Sequence, residues 1–410
     1  MVSHSSDLGK MSILDKQTKD SLMLAALQSR PLAQQQDAGY ADTLREILQQ
    51  PETWRGTAEL LRRPEVRQRL AAVLDPAPAQ VVLTGSGSSM YIGECLAPSL
   101  QAGLGLPVQA IAGGTLLTHW RSVLPPGPGL LISLARSGDS PESCGVVSRL
   151  LGDAPAWRHL VITCNAKGRL ATQYRDDPRV TVLVLDERTN DRSLVMTSSF
   201  TNLLLAGTGL LLGRAGEVSA ATLERAAAAV QQVFEHQTDA LARLAQGGFA
   251  AALYLGSGGA LGAAREGALK MLEMTGGKVA TMAETFLGLR HGPMSSLRAD
   301  TLVVALLSPD PAVRAYEYDL LRELSRKGLG KPRLLVGEGV PADVAGPAGL
   351  VVEVPAGAAH GEVPAMLAHV AVAQLLAFFR CLSLGGRPDA PSQGVLTRVV
   401  ESFAIHGDAT

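Results

Sequence analysis

Cysteine is scarce in this 410-residue sequence. The four present, Cys95, Cys144, Cys164 and Cys381, are widely spread, with no CxxC pair and no Cys/His cluster at metal-ligand spacing. Neither a disulfide framework nor a metal site is expected, and a reducing, cytoplasmic setting fits best. Charge of one sign is also missing: 37 Lys and Arg stand against 38 Asp and Glu, for a net charge of -1, and aromatic residues make up only 4%. Nothing there calls for nucleic acid or an anionic membrane as a partner. Nor is any apolar run long and unbroken. Residues Met366 to Leu384 come nearest, but His369, Gln374 and Arg380 interrupt them, so they read as a buried helix rather than a membrane span. The amino terminus places Asp7, Lys10, Asp15, Lys16, Lys19 and Asp20 where a signal peptide would need an apolar core, so export is not expected.

What is present is a chain with 46% hydrophobic residues, long enough for two domains of about 150 to 200 residues. Residues 1–54 are polar and Gln-rich, with weakly helical stretches such as Asp42 to Gln49, and read as an arm or helical hairpin of the kind that docks on a partner subunit. From Pro51 to Leu74 the spacing of Leu60, Leu61, Val66, Leu70 and Val73 predicts one or two short helices, ended by Asp75-Pro76-Ala77-Pro78. Apolar strands then alternate with helices: Val81 to Leu83, Gly129 to Leu134, His159 to Thr163 and Val180 to Leu185, each followed closely by Gly, Ser, Asn or Asp. Continuous apolar runs are the mark of buried parallel strands, and βαβ units build a doubly wound sheet.

The second half repeats the plan. Val81-Val82-Leu83-Thr84-Gly85-Ser86-Gly87 matches Ala252-Leu253-Tyr254-Leu255-Gly256-Ser257-Gly258, and Leu131 to Ser137 matches Leu302 to Ser308 at the same 171-residue offset. The expected fold is therefore α/β, with two tandem doubly wound parallel-sheet domains at 55–215 and 220–385 related by internal duplication, and a tail at 386–410. After its second strand the first copy carries Arg136-Ser137-Gly138-Asp139-Ser140-Pro141-Glu142-Ser143, whereas the second carries Ser308-Pro309-Asp310-Pro311. An anion site is expected only in the first.

Two kinds of residue pattern carry chemistry. In Ser137 to Pro141, Gly138 lets the backbone approach a ligand, Ser140 is a good N-cap and Pro141 sits at N1, so free amides meet the positive end of a helix dipole. An ordinary capped turn has the same composition. Gly85-Ser86-Gly87-Ser88-Ser89 adds a second hydroxyl-rich turn at the carboxyl end of a neighbouring strand, where open α/β sheets bind ligands. Met196 to Thr201 adds a third, although Ser and Thr also cap helices. The other pattern is Glu266, Lys270 and Glu273 at i, i+4 and i+7, all on one face of a helix. Such a stripe is either a solvated salt-bridge ladder or the wall of a site.

These blocks resemble the sugar isomerase (SIS) domain proteins, with two tandem domains arranged as in the isomerase half of glucosamine-6-phosphate synthase. From about Arg45 onward the sequence is most similar to the galactosamine-6-phosphate deaminase/isomerase family, long labelled tagatose-6-phosphate ketose/aldose isomerase. The resemblance rests on Leu83 to Ser89, Arg136 to Ser143, Ile162-Thr163-Cys164-Asn165, Ala264 to Glu273, Arg290-His291-Gly292-Pro293 and Thr397-Arg398-Val399-Val400. It implies that Ser88, Ser89, Ser137, Ser140, Thr197, Ser198 and Ser199 hold a sugar phosphate, with Gly87, Arg136 and Arg398 as further substrate contacts. It also implies that Glu273 is the base moving a proton between C1 and C2, that His291 serves ring opening, and that Glu266 and Lys270 are their charged partners. No cofactor is implied, and the expected assembly is a homodimer or higher homo-oligomer in which His291 reaches a neighbour's site.

One departure concerns the tail. Where the amidotransferase relative brings a C-terminal Lys to the sugar, this sequence has no Lys after Lys331, and Arg398 cannot form a Schiff base. Val2 follows Met1 in place of an amino-terminal cysteine nucleophile, so no internal ammonia source is expected. Ammonia release or plain aldose/ketose interconversion fits better than synthesis. A sugar-phosphate-sensing regulator is the alternative from another class, but residues 1–80 balance ten basic against ten acidic residues, a poor electrostatic footprint for DNA.

Overall fold

The computed structural model describes residues 23–354, 361–392 and 394–406. Its strands are β1 (Gln80–Gly85), β2 (Val108–Ala112), β3 (Gly129–Ala135), β4 (Trp157–Thr163), β5 (Val180–Val184), β6 (Ala251–Gly256), β7 (Ala280–Glu284), β8 (Leu302–Leu306), β9 (Arg333–Gly337) and β10 (Gly349–Glu353). The principal helices are α1 (Ala41–Leu48), α2 (Gln50–Arg62), α3 (Ser88–Leu104), α4 (Pro141–Asp153), α5 (Ser198–Gly207), α6 (Ala220–His236), α7 (Ala260–Thr275), α8 (Pro311–Arg326) and α9 (Glu362–Ser383).

The strands form two five-stranded sheets, ordered β2-β1-β3-β4-β5 and β7-β6-β8-β9-β10, and every ladder is parallel. The two orders are the same, so the duplication seen in two strand pairs extends to all five. Central strands are mostly apolar because helices cover both faces; β1, β3 and β8 are buried at every position. The edge strands β2 and β7 are half-exposed, and Gln109, Thr281 and Glu284 break their apolar runs, which is why neither stands out in the sequence. A single hydrophobic core joins the two sheets through α5 and α9, with a smaller cluster under the outer helices of each. The apolar helix α9 is 94% buried over its most apolar window, inside the protein rather than at its surface.

The amino-terminal segment differs from the expected arm. Within the described residues, Tyr40, Leu44, Ile47 and Trp54 are buried, and α1 and α2 pack on α9, α5 and α6. Helix α2 runs straight through residue 54, and at the 171-residue offset its start falls within one residue of that of α6. The inward face was hard to read because it is polar: Thr43, Glu46, Gln50, Thr53 and Thr57 are all buried. Their burial is supported by hydrogen bonds. Gln50 Nε2 donates to Gln374 Oε1 (2.9 Å), Thr201 Oγ1 donates to Gln50 Oε1 (2.7 Å), Thr57 Oγ1 donates to Asn202 Oδ1 (2.7 Å) and Asn202 Nδ2 donates to Thr53 Oγ1 (2.8 Å). Residues 1–22 of the expected arm lie outside the described residues.

Candidate active site

Helix α7 follows β6 and ends at Gly276 and Gly277, both at positive φ (58° and 75°), where a left-handed residue stops the helix. It lies against α3 at unusually short range. A Cβ on Gly262 would stand 2.7 Å from both the Cys95 sulfur and the Tyr91 carbonyl oxygen, so only glycine permits the approach. That closeness removes water from the charged face of α7. Glu266 and Lys270 are fully buried, while the side chain of Glu273 keeps 25% of its exposure. Lys270 Nζ lies 2.5 Å from Glu273 Oε2 and 3.4 Å from Glu266 Oε1, and donates to Ser88 Oγ at 3.1 Å.

Electrostatics follow from that burial. Desolvation pushes the Glu266 carboxyl up to about 8, against the opposing pull of Lys270, so it carries its proton at neutral pH. Burial alone would lower Lys270, but its interactions with the acidic side chains of Glu266 and Glu273 outweigh it and raise the ammonium, which stays charged. Neither oxygen of Glu266 accepts a hydrogen bond of good geometry. The stripe is therefore a buried ionisable trio with one end open to solvent at Glu273, and not a solvated ladder.

The serine turns close around a cavity of about 140 Å³ at the carboxyl ends of β1 and β3. Ser86, Ser89, Arg136, Ser137, Gly138, Ser140, Ser143 and Met196 line it together with the carboxyl group of Glu142, and residues 398–400 of the tail form the outer wall. Gly138 takes φ 69°, which turns the loop back on itself. The loop is pinned from behind: Asn165 Nδ2 donates to the Ser137 carbonyl (2.8 Å), the Leu170 amide donates to the Gly138 carbonyl (2.9 Å), and Ser137 Oγ accepts from the Asp139 amide (3.3 Å). Ser140 sits at the N-cap of α4 as expected, but its hydroxyl donates to Ser143 Oγ (2.8 Å) instead of capping an amide.

Several expected phosphate contacts lie elsewhere. Ser88 faces Lys270 and belongs with the trio; Gly87, at φ 55°, shapes the turn before α3. Thr197, Ser198 and Ser199 are fully buried and serve a different anion, the carboxylate of Asp191. Its oxygens accept from the Thr197 amide (2.7 Å), the Ser199 amide (2.9 Å), Ser198 Oγ (2.5 Å) and Ser199 Oγ (2.5 Å). This internal carboxylate satisfies the N-terminus of α5, which leaves no room there for a phosphate. Arg136 and Arg398 stand at the cavity but spend their guanidinium groups on carbonyls: Arg136 binds those of Ser193 (3.2 Å), Leu194 (2.9 Å) and Arg398 (2.9 Å), and Arg398 binds that of Asp191 (2.6 Å). They clamp the tail to the 191–194 loop. Glu46 completes the clamp by accepting from the Arg192 amide (2.6 Å) and Ser193 Oγ (2.5 Å). Burial, and then the Asp191 charge, push its carboxyl up to about 7. His291 lies on the loop after β7, exposed, and its ring has no hydrogen bond or ion pair among the described residues. Among those residues, no group of three or more His, Cys, Asp or Glu could hold a metal ion, and the four cysteines are free and buried.

Profiles of known protein families give no match to the chain. Individual proteins do. A Streptomyces coelicolor relative is 38% identical over 390 residues, covering 90% of this chain and 96% of its own. The D-galactosamine-6-phosphate deaminase AgaS of Escherichia coli is 34% identical over 375 residues, covering 89% and 95%. The chain belongs to the D-galactosamine-6-phosphate deaminase AgaS family. The crystal structure of tagatose-6-phosphate ketose/aldose isomerase from Escherichia coli is similar to it with a TM-score of 0.77 and 34% identity, over 86% of this chain and 95% of that one. Within this family of two tandem SIS domains, Glu46, Asp191, Asn165 and Ser86 are residues around the cavity to which the sequence assigns no role, although Ser86 and Asn165 lie in stretches that it marks.

Proposed function

We propose that this chain is an amino-sugar-phosphate deaminase/isomerase whose preferred reaction converts galactosamine 6-phosphate to tagatose 6-phosphate and ammonia. The observation that carries the reading is the trio on α7, in which a fully buried lysine is held between two acidic side chains and only Glu273 reaches solvent. A structural ion pair has no need to leave one acid accessible, whereas a proton-transfer site does.

In this reading Ser86, Ser89, Ser137 and Ser140 grip the phosphate, and the sugar lies with C1 and C2 toward Glu273. His291 takes part in ring opening. Glu273 removes the C2 proton from the open-chain amino aldose, the electron pair forms the C1–C2 double bond of an enolamine, and the proton returns to C1 to leave an imine at C2. Water adds to the imine carbon and ammonia departs, giving the ketose 6-phosphate. The charged Lys270 holds the Glu273 carboxylate in place and supplies positive charge as the C1 oxygen gains electron density. The protein acts as a cytoplasmic homodimer, with the unpartnered His291 directed to the neighbouring subunit's site.

A plain aldose/ketose 6-phosphate isomerase uses the same proton transfer, and the likeness to the tagatose-6-phosphate ketose/aldose isomerase of Escherichia coli favours it. A coupled ammonia assay on galactosamine 6-phosphate and glucosamine 6-phosphate separates the two. Ammonia from the galacto sugar in preference to the gluco sugar is expected; no ammonia from either would leave isomerisation.

A further inference from the structure

The second domain keeps two serines of the first domain's cradle in register. Ser257 and Ser308 lie 171 residues after Ser86 and Ser137, at the ends of β6 and β8. The turns share one serine-to-amide bond, although Pro309, whose ring holds φ negative, stands where the first turn has Gly138 at φ 69°. The Asp139 amide donates to Ser137 Oγ (3.3 Å), and at the same offset the Asp310 amide donates to Ser308 Oγ (3.1 Å). The content differs too. In the second domain Ser257 Oγ donates to Glu317 Oε1 (2.7 Å) and the Ser308 amide donates to Glu317 Oε2 (2.9 Å), so a carboxylate fills the cradle. Glu317 is fully buried and comes from the second turn of α8. The corresponding turn of α4 carries Val146 and Val147, which point no anion at the first cradle and leave its cavity of about 140 Å³ open. The pocket at Ser308, with Arg314 and Glu338 on its wall, has only about 10 Å³ of free space, scarcely a water's worth.

We propose that the second domain retains an anion site of the phosphate class and that Glu317 occupies it as a built-in surrogate, so that the native chain takes one sugar phosphate and not two. Two carboxylate oxygens on one hydroxyl and one amide are the contacts a phosphate would make there. Around Glu317, Arg314 favours an anion while Glu362 opposes it. Removing the Glu317 side chain uncovers a site of the same chemistry. The inference rests on the phosphate reading of the first cradle for the native stoichiometry only.

The test is equilibrium dialysis of the full chain against labelled inorganic phosphate at pH 7. Wild type is expected to bind one equivalent, Glu317→Ala two, and Glu317→Ala combined with Ser257→Ala one again. Glu317→Gln, which keeps the cradle filled, is expected to stay at one. Glu317→Ser is titrated alongside, so that poor folding of the alanine variant leaves a second reading. Equal stoichiometry in wild type and in whichever of the alanine and serine variants folds overturns the proposal. No binding to wild type with one equivalent gained in the variant would instead refute the reading of the first cradle and leave this one standing.

Discussion

Glu266 offers a test in which the magnitude follows from the structure. Replacing it with Gln exchanges one oxygen for an amide group at a site closed to water, so shape and packing persist while the titration disappears. Its carboxyl ordinarily titrates near 4.5 and burial pushes it up to about 8. Between those values the folded protein keeps a proton that the unfolded chain has lost. Stability from this group is therefore complete below the unfolded value and falls as pH rises toward 8, by about 1.4 kcal/mol per pH unit. From pH 5 to pH 8 the loss amounts to about 4 kcal/mol, a large part of the usual folding free energy. Glu46, pushed up to about 7, adds a fall of the same sign that is complete one unit earlier. Urea unfolding at fixed protein concentration, at pH 5 and pH 8, reads the difference. Wild type should lose more stability than Glu266→Gln across that interval, by about 4 kcal/mol, while the variant retains the Glu46 slope. Equal losses in the two proteins would show that Glu266 is solvated and would remove the basis for a buried trio.

Other expectations concern the cradle and its clamp. Ser137→Ala should raise KM for a hexosamine 6-phosphate about 10- to 100-fold with little change in kcat, because one hydrogen bond to a charged phosphate contributes about 1.5 to 3 kcal/mol in ground and transition states alike; an unchanged KM would place the phosphate elsewhere. Asp191→Asn removes the charge that four donors share, and should lower the urea-unfolding free energy by about 2 kcal/mol; a loss below 0.5 kcal/mol would mean the α5 terminus is satisfied without it. Mixing Glu273→Gln chains with His291→Ala chains should restore activity that neither has alone, since mixed dimers hold one intact site; no recovery after subunit exchange would place His291 in its own chain's site.

Much of this was readable from residue order, for identifiable reasons. Buried parallel strands must be apolar on both faces, so β1, β3, β4, β5, β6 and β8 stand out as runs, and the repeat of Gly85-Ser86-Gly87 as Gly256-Ser257-Gly258 exposes the duplication. The spacing of Glu266, Lys270 and Glu273 fixes their common face. Their burial does not follow from it, because it depends on Gly262 meeting Cys95 across two domains. The leading helices were misread because Thr43, Glu46, Gln50 and Thr53 look like a solvated face until their distant partners are known; Gln374 lies 324 residues from Gln50. Composition likewise made Thr197 to Ser199 look like a ligand turn. A hydroxyl-rich helix start binds an anion in either case, and only the fold reveals that the anion is Asp191, a few residues upstream.

The most direct measurement is ammonia release from galactosamine 6-phosphate by wild type and Glu273→Gln, with substrate binding followed in the same preparations. Wild type should release ammonia and ketose 6-phosphate in equal amounts, while Glu273→Gln binds the sugar with comparable affinity and turns over at least about 1,000-fold more slowly. A Glu273→Gln variant that deaminates at the wild-type rate would contradict the assignment of the α7 trio as the site of proton transfer.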